Sequence, residues 1–319
     1  MAVAVVAIVA GLLVLAVAAD RFVVGAARLA VTFRVSPVVV GVTVIGFGTS
    51  APELVVSGIA AARGGLDIAV GNLVGSNLAN VSLVLGVAGL LATPAVRSRI
   101  VRREAPLSVA AVALFAFLIQ GGLSRLEGLV LAAAMVVAIV VVLGGARRQA
   151  AADADDLLHE VGELVHANSD RSGVRRDTLL TAAGLIGTVV GAYVLVTGAE
   201  RVIDALALSG GFVGLTVVAL ATSLPELVTA VQSARRGQVA LLAGNVLGSN
   251  IFNSLGGGGL VALVGPGVLA DAGLTVVAAG LMVVVVFLSW GFLAGGALRR
   301  WEGALLLVAY AVALPFMKG

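Results

Sequence analysis

Glu53, in GFGTSAPELVVSG, and Glu226, in ALATSLPELVTAV, each sit in a long apolar run with no basic residue nearby in sequence. In each copy a serine stands three residues before the glutamate and a proline in what would be the first turn, which is a capping-box arrangement for opening a helix. The flanking Gly and Pro residues also imply a helix broken inside an apolar span, whose freed backbone groups must line a cavity or a protein interior. An ionised carboxylate at membrane depth costs at least about 2.5–3.5 kcal/mol. A cap alone seldom justifies that twice, whereas a bound cation compensates both charges.

A second motif, also duplicated, supplies neutral oxygens: GNLVGSNLANVSLVLG at 71–86 and GNVLGSNIFNSLGGGG at 244–259. Ser76 and Asn80 are four residues apart, as are Ser249 and Asn253, so each pair shares one helix face. Gly71 with Gly75, and Gly244 with Gly248, form small-xxx-small pairs that allow close helix contact. Asn72, Asn77, Asn245 and Asn250 fit equally a ligand and an interhelical hydrogen bond, while Asn80 and Asn253 are read as ligands. Two carboxylates, two amide oxygens, the hydroxyls of Thr49, Ser50, Ser76, Thr222, Ser223 and Ser249, and carbonyls freed by the helix breaks make an all-oxygen site. Hard cations prefer such a set: calcium takes about six to eight oxygens in flexible geometry, whereas magnesium favours a tight octahedron that retains water. Two ionised glutamates balance one divalent ion or two monovalent ones, so such a site can trade cations.

These residues need an apolar scaffold, and the composition provides one. The chain is 60% hydrophobic and 12% charged, against about 45–50% and about 25% in soluble domains. It is therefore read as an all-α, polytopic membrane protein. Cysteine is absent and the two histidines, His159 and His166, share one polar segment. Disulfides and thiolate metal sites are excluded, and no enzyme chemistry or cofactor is suggested. The basic residues form short clusters between apolar runs rather than a continuous patch, which argues against nucleic acid as a partner.

Apolar runs long enough to span a bilayer recur ten times, at 2–19, 37–62, 68–92, 105–120, 126–144, 178–198, 211–234, 239–264, 272–296 and 302–317. The first run lacks the basic start of a signal peptide and is read as a retained helix. With the amino terminus outside, sixteen of the twenty Lys and Arg residues fall in cytoplasmic loops, leaving only Arg63, Arg125, Arg201 and Lys318 outside. That bias predicts a multi-pass protein of the cell (inner) membrane with both termini extracytoplasmic. The polar stretch 147–177 divides 1–146 from 178–319, five spans on either side. It reads as a solvated cytoplasmic linker with room for a short amphipathic helix; a regulatory metal site on Asp153, Asp155, Asp156, His159 and Glu163 is the weaker reading.

Laid over each other, the two parts repeat. Thr49 matches Thr222, Ser50 Ser223, Pro52 Pro225, Glu53 Glu226, Asn72 Asn245, Ser76 Ser249 and Asn80 Asn253, all at an offset of 173 residues. An odd number of spans per part makes the second copy enter from the opposite side. The expected architecture is thus two inverted five-helix repeats with broken helices meeting at the midplane.

At these residues the chain resembles the calcium/cation antiporter superfamily, above all the prokaryotic sodium/calcium exchangers: GTSAPE with GNLVGSN, and ATSLPE with GNVLGSNIFN, look like its two alpha-repeats. The resemblance implies sodium/calcium exchange by alternating access, with calcium and sodium as transported ions and no obligate protein partner. It also implies that Glu53 and Glu226 are the central calcium ligands, flanked by Asn80 and Asn253. Thr49, Ser50, Ser76, Thr222, Ser223 and Ser249 would complete the sites with carbonyls near Gly46 and Ala219. Several sodium/calcium exchangers carry aspartate at the position of Asn253; here both copies carry asparagine. The proton-coupled branch has an additional acid in its second motif, where this chain has Gly75-Ser76 and Gly248-Ser249, so calcium/proton exchange is the runner-up. A passive cation channel is the third reading.

Overall fold

The computed structural model describes residues 2–32, 50–92, 98–149, 173–235 and 239–316, and these are helical with no strand among them. The apolar Ala, Leu and Val runs leave the helix as the way for each segment to satisfy its own backbone in lipid. In chain order the elements are α1 Ala2–Thr32, α2 Ala51–Ala62, α3 Leu66–Ala92, α4 Ser98–Leu118, α5 Arg125–Gln149, α6 Val174–Leu206, α7 Gly210–Thr222 and α8 Leu224–Arg235. α9 starts with Val239–Ile251, passes through a π-helical turn at Phe252–Gly257 and ends with Gly258–Val264; α10 is Leu274–Ala294 and α11 Arg300–Phe316. Among the described residues seven helices are long and apolar enough to cross a membrane, or eight if the bent α7–α8 pair is one span.

The membrane-facing and central helices separate by burial. In the most apolar stretch of α3, 83% of residues are buried, and in that of α9, 72%; the corresponding share is 22% in α5 and 28% in α1. The two helices bearing the Gly-Asn motifs are therefore the inner ones. α1 and α5 turn Val6, Leu13, Leu126, Val136 and Val140 outward, as lipid-facing helices do.

α1 and α6 pack along their length at near-backbone distance. A Cβ built on Gly11 would stand 2.6 Å from the Leu195 nitrogen, one on Gly191 2.6 Å from the Leu15 nitrogen, and one on Gly198 2.8 Å from Ile8 Cγ1. Partners on α6 retreat as α1 advances, so the two helices run antiparallel. Arg28 and Asp177, both nearly buried, pair at 3.6 Å within this couple. α6 in turn is tied to the end of α2: Arg63 donates to Glu200 at 2.6 Å and Thr197 at 2.8 Å, and lies 4.8 Å from the Tyr193 ring centre.

Both helices of this couple are longer than their apolar runs. The expected 2–19 continues to Thr32 and the expected 178–198 covers Val174–Leu206. Hydropathy marks the part of a helix that lipid demands, whereas the hydrogen-bond ladder carries on through exposed Asp20 and Arg21. The first part of the expected span 37–62 and the linker with its amphipathic helix and acid–histidine cluster lie outside the described residues.

Candidate functional site

The site begins with the helix breaks. Ser50 (φ −89°, ψ 2°) and Ser223 (φ −83°, ψ 4°) adopt the same non-helical geometry immediately before α2 and α8. At the second break the axis bends by 42°. Pro225 has no N–H to return to the carbonyl four residues back, that of Ala221, so the break leaves backbone acceptors in the bundle interior. The serine carbonyls carry the helices onward: Leu54 N–H donates to Ser50 O and Leu227 N–H to Ser223 O, both at 3.1 Å. The side chains do not behave as the capping box suggested. Ser50 makes no side-chain cap and its Oγ has no partner, while Ser223 Oγ donates to Glu53 Oε1 at 3.3 Å. That contact brings the second break against the glutamate of the first.

The Gly-Asn motif of α3 lies against α7. A Cβ on Gly71 would come within 2.6 Å of the Gly211 carbonyl, and one on Gly75 would overlap the Leu215 carbonyl and stand 2.6 Å from Ala219 Cβ. Glycine is required there because backbone meets backbone. Close approach lets Ser76 Oγ reach Thr222 Oγ1 at 3.4 Å and Thr222 Oγ1 donate to Asn72 Oδ1 at 3.2 Å. Farther along the same helices, Asn80 Nδ2 donates to Asn250 Oδ1 at 3.1 Å and Asn77 Nδ2 to Ser254 Oγ at 2.9 Å. Asn72, Asn77 and Asn250 thus form the interhelical hydrogen bonds that the sequence left open.

Asn80 and Asn253 fall in π-helical turns, Asn80–Val84 in α3 and Phe252–Gly257 in α9. Such turns widen the helix by one residue and recur at functional sites. Periodicity gave no sign of them. Nor did it single out Ser57, one turn beyond Glu53, which accepts from Asn72 Nδ2 at 2.9 Å; a serine on the glutamate's own helix face was the available signal.

Glu53, Glu226, Ser50, Ser76, Asn80, Thr222, Ser249 and Asn253 are fully buried and Ser223 nearly so. Thr49 and Gly46 lie outside the described residues. Hydrogen bonds join Glu53 to Ser223, Ser76 to Thr222 and Asn80 to Asn250 across the two copies. Six oxygens of this set have no hydrogen-bond partner among the described residues: Ser50 Oγ, Glu53 Oε2, Asn80 Oδ1, both carboxylate oxygens of Glu226, and Asn253 Oδ1. Among the described residues the ion pairs are Arg21–Asp20, Arg28–Asp177 and Arg63–Glu200, so no arginine neutralises Glu53 or Glu226. Buried acceptors are normally satisfied, and this donor set, all oxygen and acidic, fits a hard cation. Among the described residues no group of three or more His, Cys, Asp and Glu could hold a metal ion by itself; the carboxylates come as a pair completed by amides and hydroxyls.

An all-helical membrane bundle with a buried, oxygen-lined acid pair between its inner helices is the make-up of a cation transporter rather than an enzyme. The comparisons narrow that class. The chain belongs to the sodium/calcium exchanger protein family, whose profile matches residues 3–144 and 177–318. It is 32% identical over 342 residues to the sodium/calcium exchanger MaX1 of Methanosarcina acetivorans, covering 95% of each chain. It is 36% identical over 261 residues to the inner membrane protein YrbG of Escherichia coli K12, covering 82% of this chain and 79% of that one. The fold matches the sodium-calcium exchanger NCX_Mj, in a structure soaked with Na+ and Sr2+, with a TM-score of 0.63 at 29% identity over 98% of both chains.

Proposed function

We propose that the chain is a secondary active antiporter that exchanges sodium for calcium by alternating access at a midplane site. Glu53 and Glu226 are the central ligands, Asn80 and Asn253 flank them, and Thr49, Ser50, Ser76, Thr222, Ser223 and Ser249 complete the set with the carbonyls of Gly46 and Ala219. The observation that carries this reading is the group of six unpartnered, buried oxygens in the duplicated motifs, with two carboxylates and no arginine among them. A cation satisfies all of them at once. That the family members MaX1 and NCX_Mj are named sodium/calcium exchangers supports sodium as the coupling ion.

The architecture proposed for this function is ten transmembrane helices in two inverted five-helix repeats, 1–146 and 178–319, joined by a cytoplasmic linker at 147–177. Three observations support it. Ser50 and Ser223 share one backbone geometry, π-turns contain both Asn80 and its match Asn253, the second beginning one residue earlier at Phe252, and the matched helices α1 and α6 pack antiparallel. In this reading the protein sits in the inner membrane with both termini outside.

Calcium uptake into proteoliposomes loaded with sodium, loaded with potassium, or given only a pH gradient tests the coupling. Uptake driven by inside sodium alone is expected. Uptake driven by the pH gradient alone would make the chain a calcium/proton exchanger, and calcium movement without any counter-ion would make it a channel.

A further inference from the structure

Asn72 is fully buried, matches Asn245 at the same offset of 173, and reaches the first helix break from α3. Its amide orientation is fixed by one contact. Nδ2 lies 3.3 Å from the Glu53 carbonyl, which can only accept, so that end of the amide must be the donor. The opposite end, Oδ1, therefore faces Thr222 Oγ1 as an acceptor, and the threonine must donate to it.

Thr222 has one proton and three acceptors within reach: Asn72 Oδ1 and the Ala219 carbonyl, both at 3.2 Å, and Ser76 Oγ at 3.4 Å, which can itself donate and so leaves the first two to compete. The Ala219 carbonyl already accepts the Ser223 N–H at 3.0 Å. A carbonyl has two lone pairs, so one remains, and it is open to either the threonine proton or a cation. We propose that Asn72 is a positioning residue that draws the Thr222 proton onto Oδ1, so that both the hydroxyl oxygen of Thr222 and the second lone pair of the Ala219 carbonyl face the ion. The proposal rests on the reading of Thr222 and Ala219 as calcium ligands and adds what keeps them in ligand form. Without an acceptor at position 72 the hydroxyl turns onto Ala219, and each calcium that binds must first break that hydrogen bond. Ser57 and the Glu53 carbonyl are not left stranded by the loss of Nδ2, because Ser57 stands four residues after Glu53 on the same helix and can return its hydroxyl to that carbonyl.

The test is a double-mutant cycle on calcium dissociation constants, measured by titration calorimetry on the full chain in detergent. Asn72→Leu is expected to weaken calcium binding about tenfold, the effect of one contested hydrogen bond. In a Thr222→Val background, which has no proton to misdirect, the same substitution should change affinity less than about twofold. Equal losses in both backgrounds would overturn the proposal, because packing or loss of the donor end would then explain them; so would no loss on Asn72→Leu alone. If Thr222→Val by itself binds calcium like the unaltered protein, the reading of Thr222 as a ligand fails, and the cycle still decides the role of Asn72. Asn72→Asp covers the case in which leucine prevents folding. It keeps an acceptor toward Thr222 while removing both donors, and it should bind calcium at least as tightly as the unaltered protein. Tenfold weaker binding by that variant would contradict the proposal.

Discussion

The two motif copies share their residues and differ in their hydrogen bonds. In the first copy Glu53 receives Ser223 Oγ, and Asn80 donates to Asn250. Among the described residues the image contacts are absent: Ser50 Oγ makes no bond to Glu226, neither Glu226 oxygen has a partner, and Asn253 has none at either end of its amide. Asn77, the image of Asn250, has turned instead toward Ser254 and the Met282 sulfur. Matched sequences therefore do not impose matched environments. In the architecture proposed above, two inverted copies that can each occupy either environment would have two equivalent arrangements, of which the structure holds one. On that proposal the inequality is a physical basis for alternating access, with the second copy more dependent on the ion than the first.

The largest effect is expected where the copies touch. Gly75→Val would drive a side chain into the Leu215 carbonyl, which is backbone and cannot move aside. Overpacking of this kind costs about 1–3 kcal/mol or more. The variant should fail to give a monodisperse peak on size exclusion, and a folded, transporting Gly75→Val protein would contradict the packing of α3 on α7. Next come the carboxylates. Glu53→Gln and Glu226→Gln should each lower sodium-driven calcium flux at least about 100-fold while the protein stays folded, since a divalent ion would keep one uncompensated charge at a buried site.

The same two variants sharpen the comparison in the absence of ions. Among the described residues Glu226 has no donor to its carboxylate, whereas Glu53 has Ser223, so removing the charge relieves more unfavourable burial at Glu226. Ion-free Glu226→Gln should melt about 2–4 °C above ion-free Glu53→Gln. Equal melting temperatures would mean that the two copies are equivalent in solution. Asn253→Asp adds a proton-binding oxygen to the copy that depends more on the ion. Its calcium flux, compared with that of the unaltered protein across pH 5.5 to 8.5 without a pH gradient, should fall on the acid side, where protons compete with calcium. Coincident profiles would remove Asn253 from the ion's surroundings.

The smallest effect is at the rim. Arg63 ties α2 to Glu200 on α6, but the residue matching Glu200 in the first copy is Ala27, so this ion pair has no image. It is part-exposed, and such pairs contribute about 0–1 kcal/mol. Arg63→Gln should leave melting within about 4 °C of the parent protein, keeping the asymmetry at the rim separate from that at the ion site.

Much of this was legible in the residues. The offset of 173 between matched motifs pointed to Glu53 and Glu226, and the four-residue spacing put Ser76 with Asn80 and Ser249 with Asn253. The glycines predicted close packing, which Gly71 and Gly75 make against α7, whereas among the described residues nothing lies within 4 Å of a Cβ on Gly244 or Gly248. Other features were hidden for physical reasons. A π-turn adds one residue to a turn without altering composition, so Asn80–Val84 and Phe252–Gly257 read as plain helix. The capping box read the same whether Ser50 bonded its own helix or not. Part of the inequality is in the sequence, since Ser254, which accepts from Asn77, matches Val81, and Ser57, which accepts from Asn72, matches Ala230. The unequal contacts of Ser50 and Ser223, and of Asn80 and Asn253, belong to a conformation and could not be read from matched residues.

In the proposed site one cation sits between Glu53 and Glu226, held by both copies. Anomalous diffraction from crystals soaked in strontium, a calcium substitute with a usable absorption edge, tests it most directly. A peak is expected within about 2.3–2.7 Å of carboxylate oxygens from both glutamates, displaced in position or lost when either is changed to glutamine. A strongest peak that touches neither carboxylate, or one that survives both substitutions unchanged, would contradict it.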